Sequence, residues 1–167
     1  ISYLIYFNID QVPTDITPYT DISTCSFEYD ILSEKIYDAP YTQGGIYCEQ
    51  FGRGILIVYC NFTNCYSNEY LFDVNYIYSN SIYIKKAYQA DISNCNFYNC
   101  GPIDDDDYYG GNSITVIYLD RSCYIQLCVF DKTKSIYSET ESIDLLSNEF
   151  KNCYERMIII SSEKTTE

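Results

Sequence analysis

The sequence predicts an all-β chain: a parallel β-helix (solenoid) of about five stacked coils, with long loops at one corner. Three observations predict it. The chain of 167 residues holds 23 Ile and 21 Tyr against three Ala and one Met, and β-branched and aromatic side chains suit pleated, packed surfaces. No segment keeps an apolar period of 3.6 residues, and the longest apolar runs, Ile55 to Cys60 and Met157 to Ile160, are of strand length. The third observation is an internal repeat.

In chain order its copies are Cys25-Ser-Phe-Glu-Tyr-Asp30, Cys60-Asn-Phe-Thr-Asn-Cys65, Cys95-Asn-Phe-Tyr-Asn-Cys100, Cys128-Val-Phe-Asp-Lys-Thr133 and Asn148-Glu-Phe-Lys-Asn-Cys153. Three residues before each stands Ile22, Ile57, Ile92, Ile125 or Leu145. The pattern is aliphatic-x-x-(Cys or Asn)-x-Phe-x-x-(Cys, Asp or Thr). Positions two apart share a face of a strand, so the first Cys and the Phe point the same way. The aliphatic residue has the wrong parity for one straight strand, and a tight corner before the Cys restores a common inward direction. Successive coils then stack at about 4.8 Å. The expected inward ladders are the aliphatic set, Phe27, Phe62, Phe97, Phe130 and Phe150, and between them Cys25, Cys60, Cys95, Cys128 and Asn148.

The copies start at 25, 60, 95, 128 and 148, giving intervals of 35, 35, 33 and 20 residues. The shortest fits a bare coil. The others carry insertions after the Phe-x-x-Cys corner, at Tyr66 to Asn80 and Gly101 to Asn112, and rejoin at Gly45-Ile-Tyr47, Ser81-Ile-Tyr83, Ser113-Ile-Thr115 and Ser135-Ile-Tyr137. Insertions at one corner of a solenoid commonly form its binding side. Residues 1–167 are expected to be one domain with a repeat core over about 21–160, and the absence of an initial Met suggests a mature chain or a fragment.

The repeat resembles that of the right-handed parallel β-helices of the pectin-lyase-like superfamily. Its Cys-for-Asn form, with Gly44-Gly-Ile-Tyr47 opening a coil, is similar to Cys-rich protist surface proteins and to bacterial polymorphic outer-membrane and adhesin repeats. The resemblance implies the fold and handedness. It leaves function open, because that superfamily holds lyases, hydrolases, tailspikes and adhesins alike.

The chain has no His, which removes His-based nucleophile activation and His-bearing zinc or haem sites. A formal charge of −14 repels phosphate backbones, so no nucleic-acid partner is expected. No apolar run reaches the roughly 20 residues of a membrane span. Seven of the nine cysteines occupy repeat positions, Cys48 and Cys123 being the exceptions. Cys-x4-Cys pairs admit a thiolate metal site, but drift to Asn, Asp or Thr in other copies favours a ladder of small buried side chains. Bridges between coils, such as Cys65 to Cys100, are a third reading. Mostly reduced ladders with one or two bridges are expected.

Asn64, Asn99 and Asn152 suit a left-handed corner. Asn61-Phe-Thr63 is the one glycosylation sequon, with Asn61 facing outward. Asp104, Asp105, Asp106 and Asp107 are a Ca²⁺ candidate through their oxygens, and equally a solvated loop tip. Asp21, Asp91 and Asp144 share the position before the aliphatic residue, but Leu56 and Tyr124 interrupt them, and no adjacent carboxylate pair for glycoside chemistry forms.

The expectation is therefore a non-catalytic structural or adhesive module, extracellular or at a cell surface, without cofactor or catalytic residues. Its partners would be proteins, or its own copies stacked end to end, and glycans through outward Tyr. The alternatives are a polysaccharide-acting lyase, hydrolase or tailspike-like depolymerase, and a glycan-binding module.

Overall fold

The computed structural model describes residues 5–8, 20–28, 45–49, 54–65, 79–100, 112–133, 136–140, 142–153 and 158–160. All regular structure among them is β. Consecutive strands come in threes, each triplet here called a rung. The first is β1 (Ile5–Asn8), β2 (Thr20–Ser23) and β3 (Ser26–Glu28), and the second β4 (Ile46–Glu49), β5 (Gly54–Val58) and β6 (Asn61–Thr63). The third is β7 (Ser79–Lys85), β8 (Gln89–Ser93) and β9 (Asn96–Tyr98). The fourth is β10 (Asn112–Ile117), β11 (Cys123–Gln126) and β12 (Val129–Asp131). The fifth is β13 (Ile136–Glu139), β14 (Ile143–Leu146) and β15 (Glu149–Lys151), after which β16 (Ile158–Ile160) follows.

Each member of a rung joins a different sheet. The first sheet runs β1-β4-β7-β10-β13-β16, the second β14-β11-β8-β5-β2 and the third β15-β12-β9-β6-β3. Every pairing is parallel. The short motif therefore builds the second and third sheets. The rejoining segments, singled out in the sequence as the ends of insertions, build a complete sheet of their own. Of the insertions expected at 66–80 and 101–112, Ser79, Asn80 and Asn112 belong instead to strands β7 and β10, and the rest lies outside the described residues, between the third sheet and the first.

Register turns the repeat into columns. Ile22, Ile57, Ile92, Ile125 and Leu145 are aligned across the second sheet. In the third sheet Phe27, Phe62, Phe97, Phe130 and Phe150 are aligned. Their rings stack at centroid spacings of 4.9, 4.8, 4.7 and 4.9 Å, with tilts of 12° or less. The spacing is that of the strands, so the ladder of backbone hydrogen bonds dictates the ring separation. Gly45 closes against this stack. A Cβ there would sit 2.7 Å from Phe62 Cε1 and 2.9 Å from Phe27 Cγ, and the Phe62 ring is held between Phe27 and Phe97.

The first sheet adds two columns: Ile46, Ile82, Ile114, Ile136, Ile158 and Cys48, Ile84, Val116, Ser138, Ile160. Cys123 continues a column of the second sheet with Ile55 and Ala90. Both cysteines outside the motif are thus fully buried core residues. The motif does not reach β4, which holds Cys48, and it begins at Ile125, two residues after Cys123 in β11.

A prediction follows from the stack. Phe97 is packed on both ring faces, whereas Phe150 ends the column and is half-buried. Phe97→Ala is expected to cost about 3–5 kcal/mol and Phe150→Ala clearly less. Urea unfolding midpoints at unchanged m-value measure the difference, and equal losses would contradict it.

Candidate functional site: the corner ladders and the outward acidic column

The corner between the second and third sheets is set by one residue in each rung. Thr24, Tyr59, Asn94, Leu127 and Ser147 have φ of 54°, 55°, 53°, 54° and 55°. This left-handed conformation costs a non-glycine residue about 1–2 kcal/mol, and here it aims the backbone along the stack. Thr24, Tyr59, Asn94 and Leu127 donate N–H to carbonyls one rung further on, those of Val58, Ser93, Gln126 and Leu146, at 3.0–3.2 Å. Two residues beyond each corner the chain donates backward. Asn61, Asn96, Val129 and Glu149 give their N–H to the carbonyls of Cys25, Cys60, Cys95 and Cys128 at 2.9 Å. Asn64, Asn99, Lys132 and Asn152 take the same left-handed conformation at the next corner, as expected for the asparagines.

The side chain just after the first corner completes the arrangement. Cys60 Sγ donates to two carbonyls, Val58 of its own rung and Ile22 of the rung before, both at 3.4 Å. Cys95 repeats this with Ser93 and Ile57, and Cys128 with Gln126 and Ile92. Asn148 stands at the same position in the fifth rung. Its Nδ2 donates to the Ile125 carbonyl at 2.7 Å and its Oδ1 accepts the Cys128 N–H at 3.0 Å. A thiol and a carboxamide are therefore alternatives here for one physical reason: each is small, and each bridges backbone groups of successive rungs. The Cys65, Cys100 and Cys153 ladder does likewise at the second corner.

All nine cysteines are free thiols. Cys65 and Cys100 neighbour one another as thiols and are not bridged. Burial pushes the Cys48 thiol up to about 12. Cys123 also rises to about 12, through burial and then the negative charges of Asp91 and Asp144. Cys95 reaches about 12, chiefly through its hydrogen bond with the Cys128 thiol, and Cys60 is raised through Cys95 and then burial. The described residues hold no cluster of three or more groups arranged for a metal ion.

Outside the core, Asp21, Leu56, Asp91, Tyr124 and Asp144 form one column of the second sheet. The register separates the three carboxylates by an apolar or aromatic residue each time. Burial raises the Asp91 carboxyl, and its Oδ1 has no hydrogen-bond partner among the described residues. Asn61 is exposed, with its Oδ1 accepting from Asn96 Nδ2 at 2.9 Å. Asp104, Asp105, Asp106 and Asp107 lie outside the described residues.

Among exposed tyrosines, Tyr59 projects from the corner between the second and third sheets and Tyr118 from the end of a first-sheet strand. Tyr88 lies under the Arg121 guanidinium at 5.1 Å and Tyr98 beneath Lys132 Nζ at 5.5 Å. Tyr88 and Tyr118 share the corner between the first and second sheets, and in the first sheet the register aligns Tyr6, Tyr47 and Tyr83. No helix among the described residues is long and apolar enough to cross a membrane. Compared with known proteins, the chain matches no family model, no curated sequence and no solved structure.

Two predictions follow. Asn148→Ala leaves the Cys128 N–H and the Ile125 carbonyl without their partner and is expected to cost about 1–3 kcal/mol. Asn148→Cys is expected to recover part of it, because the thiol reaches the equivalent carbonyl of the preceding rung in three other rungs. Chemical denaturation of both variants checks this, and equal losses would refute the bridging role.

The second concerns alkali. A thiol is neutral when protonated, and the folded-state values stand above the ordinary 9.0, near 12 for Cys48, Cys95 and Cys123. Their contribution is complete below pH 9 and lost as pH rises from about 9 toward 12. Melting temperature against pH should fall across that window, and a Cys48→Val, Cys123→Ala variant should fall less steeply than the parent.

Proposed function

We propose that the chain is a right-handed parallel β-helix module, related to the pectin-lyase-like superfamily in architecture, that serves as a structural or adhesive part of a cell surface or extracellular assembly. The observation that carries this reading is the use of the repeat. In rung after rung the motif residues fill the interior or bridge the backbone: the aliphatic residue, the corner Cys or Asn, and the Phe. What recurs is therefore scaffold rather than a set of groups converging on one point, as catalysis requires.

The acidic, polar exterior agrees with a module that stays soluble while presenting an extended face. An outward Asn61 sequon and long connections between the third and first sheets fit a secreted protein that displays loops. The competing polysaccharide-acting reading draws on Asp91, whose carboxyl is raised by burial as a general acid's would be. Its column neighbours are Leu56 and Tyr124, so that column offers no second carboxylate on an adjacent rung. A glycan-binding role through tyrosine would draw on aligned residues, and the register places Tyr6, Tyr47 and Tyr83 at successive positions of the first sheet.

Incubation with a panel of acidic and neutral polysaccharides, followed by product analysis, tests the reading. No cleavage is expected, and Asp91→Asn is expected to leave the product profile unchanged. Chain cleavage that Asp91→Asn abolishes would replace the structural reading with the enzymatic one. Retention of a glycan without cleavage would favour the binding module.

A further inference from the structure

The second rung carries the chain's sequon, Asn61-Phe62-Thr63, which is the whole of β6. Positions two apart share a strand face, and Phe62 between them is fully buried, so Asn61 and Thr63 both face outward. Asn61 is exposed and Thr63 half-buried. The amide ladder decides which end of the Asn61 side chain is left over. Asn96 Nδ2 donates to Asn61 Oδ1 at 2.9 Å, so the carbonyl end is engaged. One rung earlier the register partner of Asn61 is Ser26, with which it makes no side-chain bond. Asn61 Nδ2 has no hydrogen-bond partner among the described residues. Elsewhere in the repeat the amide nitrogens are committed. Those of Asn96, Asn99 and Asn152 donate to Asn61, Asn64 and Asp131, and that of Asn148 donates to the Ile125 carbonyl.

Two residues before Asn61 stands Tyr59, at the corner between the second and third sheets. Its φ of 55° is a conformation that Asn adopts readily and an aromatic residue does not. Asn94 holds the same corner one rung further on. The Tyr59 ring is 61% exposed, so the core does not require it. Among the described residues no ring contact and no side-chain hydrogen bond holds it. A strained, outward aromatic side chain that the fold does not need points to a role outside the core.

We propose that Asn61 is an N-glycosylation site whose first N-acetylglucosamine packs on the Tyr59 ring. The inference rests on the extracellular reading above and deepens it, by naming a modification and the residue that seats it. In the transfer Asn61 Nδ2 bonds to the anomeric carbon of the sugar and gives up one proton to a base of the transferase. The bond that breaks joins that carbon to the pyrophosphate of a lipid-linked oligosaccharide donor, and the lipid pyrophosphate leaves. The product amide keeps its carbonyl, so the hydrogen bond from Asn96 survives the modification. The C–H face and acetyl methyl of the sugar are apolar and lie on the ring, while its hydroxyls and the Tyr59 phenol stay in water. Asn96 shares the strand position and the exposure of Asn61. It precedes Phe97-Tyr98 where Asn61 precedes Phe62-Thr63, and its Nδ2 is already committed, so the modification belongs to one rung.

For the test, the full chain is produced behind a secretion signal in a eukaryotic host and, without glycan, in bacteria. Intact mass and peptide mapping after N-glycosidase treatment, which turns a glycosylated Asn into Asp, locate the glycan. Modification at Asn61 is expected, and its loss in Thr63→Ala. After enzymatic trimming to a single N-acetylglucosamine, the melting temperature is expected to exceed that of the bacterial protein by about 2–4 °C, the shift that one contact of ordinary strength makes in a chain of this size. The increment should vanish in Tyr59→Asn and persist in Tyr59→Phe, which keeps the ring. Tyr59→Asn preserves the fold, because Asn94 already occupies that corner in the next rung. A chain unmodified at Asn61, whether secreted or retained in the pathway, would overturn the proposal. So would a parent without the increment, or an equal increment in Tyr59→Asn. None of these outcomes touches the polysaccharide assay, so this inference can fail while the structural reading stands. Polysaccharide cleavage by a chain glycosylated at Asn61 would remove that reading and leave the glycan in place.

Discussion

A parallel stack obliges every residue to serve the same neighbour above and below, about 4.8 Å away. In this protein the corner between the second and third sheets is where that obligation is met. A left-handed residue turns one N–H forward to the next rung, and two residues later the chain turns another backward. The strands of each rung are only three to seven residues long, too short to hold a sheet without these corner bonds. The conformational strain at Tyr59 or Leu127 is offset because it saves the ladder from breaking at each bend. Because the corner repeats, the rings, aliphatic residues and thiols that follow it stack in line.

The same constraint explains the chemistry of the ladder positions. A side chain after the corner must be small, must point inward and must satisfy backbone groups of two rungs. Cysteine does this as a compact, weakly polar donor, and asparagine does it with an amide of opposite ends. The cysteines of the ladders are therefore structural residues, and hydrogen bonds between neighbouring thiols or burial push Cys48, Cys60, Cys95 and Cys123 up, while Cys100 and Cys128 are lowered. Reactive cysteines occupy electropositive, partly exposed surroundings. Cys123 by contrast is fully buried, and the negative charges of Asp91 and Asp144 add to burial against its thiolate.

The apolar interior also accounts for the difference between the two ends of the molecule. A repeat that buries its columns by stacking cannot bury the last one itself, and terminal rungs need a cap or a partner. One end is covered and the other presents Ile158, Ile160, Phe150 and Leu145 together with edge strands. Net charge works alongside this geometry. A formal charge of −14 discourages association of like chains.

The motif spacing by itself determined the strand pairs of the second and third sheets, the Phe column and the corner asparagines, because parity and recurrence are local properties of a chain. Spacing also exposed the Cys and Asn equivalence, though not its cause. The first sheet was legible only as a set of rejoining points, since its strands follow insertions of variable length and share no fixed offset from the motif. Cys48 escaped for that reason, and Cys123 because it stands two residues before the motif's first position, Ile125. Register decided the rest: which residues of distant segments lie one rung apart, that Leu56 and Tyr124 stand physically between the carboxylates, and that one end is closed while the other is open. Those are relations between rungs, created by hydrogen bonds across some 20 to 35 residues of chain, and no local pattern contains them.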